Sequence, residues 1–470
     1  MAVAQDLPED ILYPIFLHAL PCEIPWPLTP SSLQSLPPFN FSLVCRSWRL
    51  VTLTRPRLWS SLSSSTIDRG HYPLINSLLE YWFLRGAAAP LDLYFGKIFR
   101  PTPEAPKDLL NLVLRETYRW NEIQMDVTPI PEDTTNSPLT FRCSTLIKSL
   151  KLLSGYVYDM ANDLMFGRLD LTQCTVHVAS QLQVLEVCAF IRWTLPESGT
   201  FWLPNLRYLN ISIDRDIKVD VILAACPNIS SLIIEIRPSA SHGHMESVNL
   251  PHLTNFILST ENDAFTNSLL TRLSCTSLVR FVYNSWDWVF KLHILADFLS
   301  KLENPSGCSS LEELKIVHRG VNRIPLESQS EFALMLKNML NPHGNLKQLL
   351  LNDVFINKEI IEILSPRSGA MHVCPSLTSI FIACHLPASG DLGFNETLEE
   401  FVVSRWHSRN GNLAIELRFN SFKNFSEESQ RIRKCVEEGL VRELGITDFY
   451  LDLIDGIECR RLCMSDRSVR

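Results

Sequence analysis

Pro204-Asn-Leu-Arg-Tyr-Leu-Asn-Ile211 is followed by Pro227-Asn-Ile-Ser-Ser-Leu-Ile-Ile234 and then by Pro251-His-Leu-Thr-Asn-Phe-Ile-Leu258. The same Leu-x-x-Leu-x-Leu pattern opens at Ser180-Gln-Leu-Gln-Val-Leu-Glu-Val187. It continues through Thr276-Ser-Leu-Val-Arg-Phe-Val-Tyr283, Ser309-Ser-Leu-Glu-Glu-Leu-Lys-Ile316, Gly344-Asn-Leu-Lys-Gln-Leu-Leu-Leu351, Pro375-Ser-Leu-Thr-Ser-Ile-Phe-Ile382 and Glu396-Thr-Leu-Glu-Glu-Phe-Val-Val403. The first apolar positions are 182, 206, 229, 253, 278, 311, 346, 377 and 398, giving steps of 24, 23, 24, 25, 33, 35, 31 and 21 residues. Within each unit the fourth and sixth positions fall on one side of a short strand, whose inward side chains stack on those of the next unit. Leu206, Leu209 and Ile211 are therefore expected inside, and Tyr208, Asn210 and Ser212 outside.

The spacers carry a different period. Ala264 to Leu273 places Phe265, Leu269, Leu270 and Leu273 on one helical stripe, and Val289 to Leu302 and Glu331 to Leu340 do the same. Arg237 to Asn249 and Ala383 to Asn395 are polar or contain Gly and Pro, and read as loops. A strand and a helix repeated at about 20 to 29 residues, here with elongated later units, is the leucine-rich-repeat pattern. The expected fold class is α/β: an irregular leucine-rich-repeat solenoid, a horseshoe with a parallel sheet, over residues 142–470. A helix from Ser426 and a strand at Phe449 to Leu453 are expected to cap its end.

Composition bounds the function. The 470 residues are 46% hydrophobic and 20% charged, which is ordinary for a globular chain and too apolar for extensive disorder. Lys and Arg (43) against Asp and Glu (51) leave a net charge of −8, so no general positive field exists to hold nucleic acid. No run of 18 apolar residues is present, and the start carries Asp6, Glu9 and Asp10 where a secretory leader would be basic. No membrane association is expected, and an intracellular location, cytoplasm or nucleus, is. The 13 Cys are scattered. Cys143, Cys226, Cys275, Cys308 and Cys374 each stand three residues before a first repeat position (Leu146, Ile229, Leu278, Leu311, Leu377), which suits small buried thiols entering a strand. Cys459 and Cys463 lack two further ligands, and His242-Gly-His244 has no carboxylate or Cys beside it, so no metal is expected. Trp286 and Trp288 read as packing residues. No phosphate-cradling Gly-Lys motif, nucleophile elbow or His-Glu-x-x-His is present among the 17 Gly and 12 His. No catalysis and no cofactor are expected.

Residues 1–65 follow another grammar. Leu7-Pro-Glu-Asp-Ile-Leu-Tyr-Pro-Ile-Phe-Leu17 begins as a helix should, with Pro8 and two acids, and carries the stripe Ile11, Leu12, Ile15 and Phe16. Pro14 removes one bond inside this helix and predicts a kink. After a proline-rich stretch, Asn40 to Val51 reads as one amphipathic helix. Residues 66–141 connect the modules through a helix over Leu74 to Leu84, strands over Pro90 to Phe95 and Glu122 to Val127, and a loop over Thr128 to Pro138. A packed joint made of the first, atypical repeats is expected there.

Leu7-Pro8-Glu9, Ile11-Leu12, Ile15-Phe16, Val44-Cys45-Arg46-x-Trp48 and Pro56-x-Leu58-Trp59 closely resemble an F-box. With the repeats, the chain resembles F-box proteins with a degenerate leucine-rich-repeat domain, of a kind expanded in fungi. The resemblance implies that the chain is the substrate-recognition subunit of an SCF-type E3 ubiquitin ligase. The F-box would bind a Skp-type adaptor, and through it a cullin, while the repeats hold a protein substrate. Carried over, the adaptor-facing candidates are Leu7, Pro8, Ile11, Leu12, Ile15, Phe16, Val44, Cys45 and Trp48, some of which must form the module's own core. The concave-face candidates for substrate are Tyr208, Asn210, Glu235, Asn255, Arg280, Asn284, Lys315, Gln348, Asn352 and Glu400. The alternative is a repeat scaffold for protein interaction that joins no ligase.

Overall fold

The computed structural model describes residues 7–21, 23–24, 30–66, 72–97, 107–126, 140–142, 144–153, 167–170, 180–187, 191–194, 202–213, 218–240, 245–285, 292–302, 309–318, 329–341, 343–352, 358–366, 373–384, 392–408, 414–419 and 430–437. The fold is α/β. Two compact units are present, Met1–Leu278 and Val279–Arg470. Their boundary falls within the repeats, so residues 1–65 and 66–141 share the first unit with the repeats up to Leu278.

The first unit opens with helices α1 (Glu9–His18), α2 (Pro30–Ser35), α3 (Phe41–Val44) and α4 (Arg46–Thr54) and a 3-10 turn at Pro56–Trp59. Next come β1 (Ser61–Thr66), α5 (Tyr72–Gly86), β2 (Leu91–Lys97), α6 (Lys107–Arg115) and β3 (Trp120–Asp126). The repeats follow as β4 (Thr140–Arg142), β5 (Ser149–Leu153), β6 (Gly167–Asp170), β7 (Val184–Val187), β8 (Ile191–Thr194), β9 (Tyr208–Ile213), α7 (Val219–Ala224), β10 (Ser231–Ile236), β11 (Val248–Asn249), β12 (Asn255–Thr260), α8 (Asp263–Arg272) and β13 (Leu273–Ser274). Strands β1, β2, β3, β5, β7, β9, β10 and β12 lie side by side in that order, all parallel. Small parallel ladders join β4, β6 and β8, and β11 with β13.

The second unit alternates strictly: β14 (Arg280–Ser285), α9 (Leu292–Ser300), β15 (Glu313–His318), α10 (Gln329–Leu340), β16 (Gln348–Asn352), α11 (Lys358–Leu364), β17 (Ser379–Cys384), α12 (Leu392–Ser408), β18 (Ala414–Phe419) and α13 (Gln430–Glu437). Its five strands pair in sequence order, all parallel. Parallel neighbours require a crossover, which the helices supply, and each helix from α9 to α13 touches the next.

The register realises the repeat. Leu209, Leu232 and Phe256 stand opposite one another, as do Ile211, Ile234 and Leu258, and all are buried. In the second unit Leu314, Leu349 and Ile380 do the same. The first apolar residues Leu182, Leu206, Ile229, Leu253, Leu278, Leu311, Leu346 and Leu377 are each 0% exposed. Replacing one by Ala would cost about 2–5 kcal/mol, because the cavity left behind adds to the lost transfer energy.

One turn feeds these strands. The N–H of the first apolar residue donates to the carbonyl three residues earlier: Leu206 to Leu203, Ile229 to Cys226, Leu253 to Leu250, Leu346 to His343 and Leu377 to Cys374, at 3.0–3.3 Å. The position that carries Cys in several repeats thus takes Leu or His in others, so its requirement is buried fit and not thiol chemistry. Cys275 and Cys374 are pushed up to about 12 by burial, and Cys226 higher still, which keeps them as neutral thiols. Side chains stitch the turns together. Asn228 donates to the Pro204 carbonyl at 2.8 Å and Asn345 to Ser309 at 2.9 Å, and Asn205 makes the equivalent bond to Ser180. Ser230, Thr254 and Thr378 donate their hydroxyls to Arg207, Ser230 and Lys347 in the same way.

Several expectations are corrected. Glu396 to Val403 is not a ninth strand but the middle of α12. Leu398, Phe401, Val402 and Arg405 are buried at i, i+3, i+4 and i+7, and the i, i+3 spacing is common to a helix and to the repeat motif. Before β5 the buried position is Ile147, with Ser144 at the turn, whereas Leu146 is exposed; the first repeat is shifted by one residue. Ser212 keeps to the outward side, opposite Glu235 and donating to it at 2.9 Å, but is buried there and not exposed. Asn40 to Val51 is broken at Cys45, whose extended backbone ends α3 and whose Sγ accepts the Trp48 N–H at 3.5 Å as the cap of α4. Pro14 leaves α1 continuous from Glu9 to His18. Ala383 and Cys384 belong to β17, and Leu392 to Asn395 to α12, so that loop is shorter than expected. Arg237 to Asn249 contains the short β11. Cys143, Cys308, the loop over Thr128 to Pro138, His242, His244, Trp286, Trp288, Cys459, Cys463 and the strand over Phe449 to Leu453 lie outside the described residues.

The amino-terminal helices and α5 are packed together. Trp59 lies against Trp82 (centroids 5.2 Å), Tyr81 (5.4 Å) and Phe39 (5.2 Å), joining the helical module to α5. Its indole N–H donates to the Thr52 carbonyl at 2.8 Å. Arg119, buried, reaches the Phe83 and Ala89 carbonyls at 3.2 Å and pairs with Glu116 at 2.6 Å, closing the end of α5.

His343 also stands in this turn row. It is fully buried, neither ring nitrogen has a hydrogen-bond partner among the described residues, and burial lowers its pKa from 6.5 to about 4. The unfolded chain takes the proton first. Stability is therefore complete above about pH 6.5 and falls as pH drops toward about 4. His343→Cys, which copies the neighbouring repeats, is expected to flatten the stability profile between those values. Urea unfolding of both chains across that range measures this.

Candidate functional site

Two surfaces carry side chains that folding alone does not explain. The first is on the amino-terminal helices. Pro8 precedes α1 and its carbonyl receives the Ile11 and Leu12 N–H groups at 3.0 Å, while Glu9 and Asp10 occupy the first turn, where the helix dipole favours acids. Glu9 also pairs with Arg55 at 2.6 Å, and the Arg55 guanidinium lies over the Tyr13 ring at 5.3 Å. The stripe of α1 divides. Leu12 and Phe16 are buried, and Phe16 stacks on Phe41 (4.4 Å) and meets Trp48 edge-on (4.8 Å), so these rings hold α1, α3 and α4 together. Ile11 and Ile15, one turn apart on α1, are 50% and 48% exposed.

Leu43, Val44 and Leu50 on α3 and α4 are also exposed, at 57%, 51% and 60%. Of the ten large apolar side chains exposed among the described residues, five thus belong to three small helices in mutual contact. Clustered exposed apolar side chains mark an interaction site, whereas single ones need no explanation. Of the adaptor candidates, Pro8, Ile11, Ile15 and Val44 are exposed, Leu7, Cys45 and Trp48 are half-buried, and Leu12 and Phe16 are core. Leu43 and Leu50 were not singled out in the sequence. Their signal was present, because apolar residues off the buried stripe of a short helix have no internal reason to be there.

The second surface is the outward row of the sheet. In the first unit Tyr208, Asn210, Glu235 and Asn255 all sit there, half-buried. Tyr208 stands opposite Ser231 and then Asn255, which donates to the Ser231 hydroxyl at 3.0 Å; Asn210 donates to Glu186 at 2.8 Å. In the second unit Arg280, Asn284 and Lys315 are half-buried, Gln348 is exposed, and Asn352 is buried. Glu313 pairs with both Arg280 (3.1 Å) and Lys315 (3.0 Å). Glu400 is not on the sheet; it projects from α12 and meets Arg431 at 2.9 Å. Burial, with Glu122 nearby, holds the Asp92 carboxyl above its ordinary value against a hydrogen bond from Asn121. Burial and Glu235 raise Glu261 against the pull of Arg237.

No group of three His, Cys, Asp or Glu among the described residues is arranged to hold a metal ion, and no described helix is long and apolar enough to cross a membrane. Compared with protein-family models the chain matches none, and no characterised protein is found with a similar sequence.

The split of the α1 stripe gives opposite outcomes for adjacent residues. Leu12→Ala is expected to cost roughly 2–5 kcal/mol of stability, and Ile11→Ser or Leu50→Ser within about 0.5 kcal/mol. Thermal unfolding of the three variants distinguishes them.

Proposed function

We propose that the chain is a non-catalytic substrate receptor of an SCF-type ubiquitin ligase. The amino-terminal helices dock a Skp-type adaptor and the repeats hold a protein substrate. The observation that carries this reading is the exposure of Ile11, Ile15, Leu43, Val44 and Leu50 on three helices whose own core is already closed by Leu12, Phe16, Phe41 and Trp48. A module that buried its stripe only against the rest of the chain would leave no such set. The resemblance of Leu7-Pro8-Glu9 and Val44-Cys45-Arg46-x-Trp48 to an F-box names the partner class.

In this reading the chain supplies no acid, base or nucleophile. It raises the local concentration of a substrate beside the ubiquitin-transferring subunits, and an oriented encounter replaces a random one. The packed joint at Trp59, Tyr81 and Trp82 supports it, because the docking helices share one unit with the first strands. The adaptor-contact set is Ile11, Ile15, Leu43, Val44 and Leu50, with Leu7 and Pro8 at the start of α1. Leu12, Phe16 and Trp48 act from inside by fixing the helices.

Co-purification with a Skp-type adaptor tests this. Wild type is expected to capture the adaptor, Ile15→Asp with Leu50→Asp to lose capture while remaining folded, and Leu334→Asp, at an exposed apolar site on α10, to keep it. A folded wild type that captures no adaptor would leave the repeat scaffold as the better account.

A further inference from the structure

The apolar face of the amino-terminal helices is bordered along α4 by charge of one sign. From Asn40 to Ser60 the chain carries four Arg, at 46, 49, 55 and 57, and no Lys, Asp or Glu. Arg55 is taken by Glu9. Arg46 and Arg49 are exposed, and neither pairs with an acid among the described residues. The other acids described in this module are Asp10, in the first turn of α1 beside Ile11, and Glu23, beyond the end of α1 and with contacts of its own. Asp10 therefore makes the start of α1 acidic, while the α4 side carries bases alone.

These bases stand next to the exposed aliphatic residues. Arg46 and Leu50 are at i and i+4 on α4, on the face turned away from the buried Val51 and Thr52. Arg49 donates its Nε–H to the Ser42 carbonyl at 2.9 Å, which brings its guanidinium to the residue before Leu43. That bond occupies one guanidinium donor and leaves the charge without a counter-ion. A side chain held in this way has lost part of its freedom before a partner arrives, so binding costs less ordering entropy. Scattered surface Arg would need no account. Here they border the cluster of exposed Leu43, Val44 and Leu50, and Arg is enriched in protein interfaces where Lys is depleted. Cations at such a rim repel a cationic partner and attract one that bears carboxylates.

We infer that Arg46 and Arg49 bind carboxylates of the docked protein, so that the surface docked here is aliphatic at its centre and acidic where it meets α4. The inference rests on the receptor reading and deepens it, by giving the contact surface of the adaptor a chemistry and the polar side of α4 a part in recognition.

The test is binding of the full chain to an immobilised Skp-type adaptor, followed by interferometry at about 50 and about 300 mM salt. Arg46→Gln with Arg49→Gln is expected to weaken binding about tenfold at the lower salt, mostly through slower association, because rim charges act on the encounter. Wild-type affinity is expected to drop as salt rises and that of the Gln variant to change less, since screening removes only what the charges contribute. Arg46→Lys with Arg49→Lys keeps both charges and should retain more of the affinity than the Gln variant. Lys337→Gln with Lys358→Gln, exposed on α10 and α11, should stay within about twofold of wild type. Thermal unfolding checks that each variant is folded. A Gln variant that binds within about twofold of wild type, equal weakening by the Lys337 and Lys358 pair, or the same salt dependence in wild type and Gln variant would each overturn the inference and leave the ligase reading standing. No binding by the folded wild type would overturn both.

Discussion

In both units the structure depends on one constraint: the first apolar side chain of each repeat must be covered on two sides by its counterparts. Leu206 or Leu346 cannot be buried by its own strand and turn. It becomes 0% exposed only when the neighbouring repeats bring Leu182 and Ile229, or Leu311 and Leu377, to the same level. Everything local serves that alignment. The turn that closes on Leu203, Cys226, Leu250, His343 or Cys374 sets the entry angle, and the Asn and hydroxyl side chains that reach back to the previous turn fix the height. Parallel pairing then follows, and the helices are the shortest way back to the next strand.

The stacked core frees the opposite side of the strands to vary. Many outward residues are tied by lateral hydrogen bonds, such as Asn210 with Glu186. The same division holds at the amino terminus, where the Phe16 ring packs on Phe41 and Trp48 while Ile11 and Ile15 stay exposed.

Much of the fold was legible because the repeat combines two periods. The strands at 208–213, 231–236, 255–260, 280–285, 313–318, 348–352 and 379–384, and the helices at 263–272 and 329–340, lie where the alternation and the 3.6-residue stripe put them. Legibility failed where the periods overlap. Leu398-x-x-Phe401-x-Val403 satisfies the motif and a helix equally, and only the burial of Val402 and Arg405 separates them. It failed again at β18, where Ala414-Ile-Glu-Leu-Arg-Phe419 alternates without a Leu-x-x-Leu lead-in. At the candidate site, the stripe on α1 was visible but its division was not, since spacing cannot tell which neighbour of an i, i+4 pair meets Phe41. The break at Cys45 was hidden for a related reason. A cap made by a thiol has no signal as strong as Ser or Asp.

The central claim is that the amino-terminal helices, already closed around Phe16, hold an apolar face for a second protein. Hydrogen exchange of the full chain with and without a Skp-type adaptor addresses it directly. Added protection is predicted within residues 9–54, strongest in the peptides that contain Ile15 and Leu50, with none over residues 392–408. Unchanged exchange across residues 9–54 in a sample where the adaptor is bound would contradict the account.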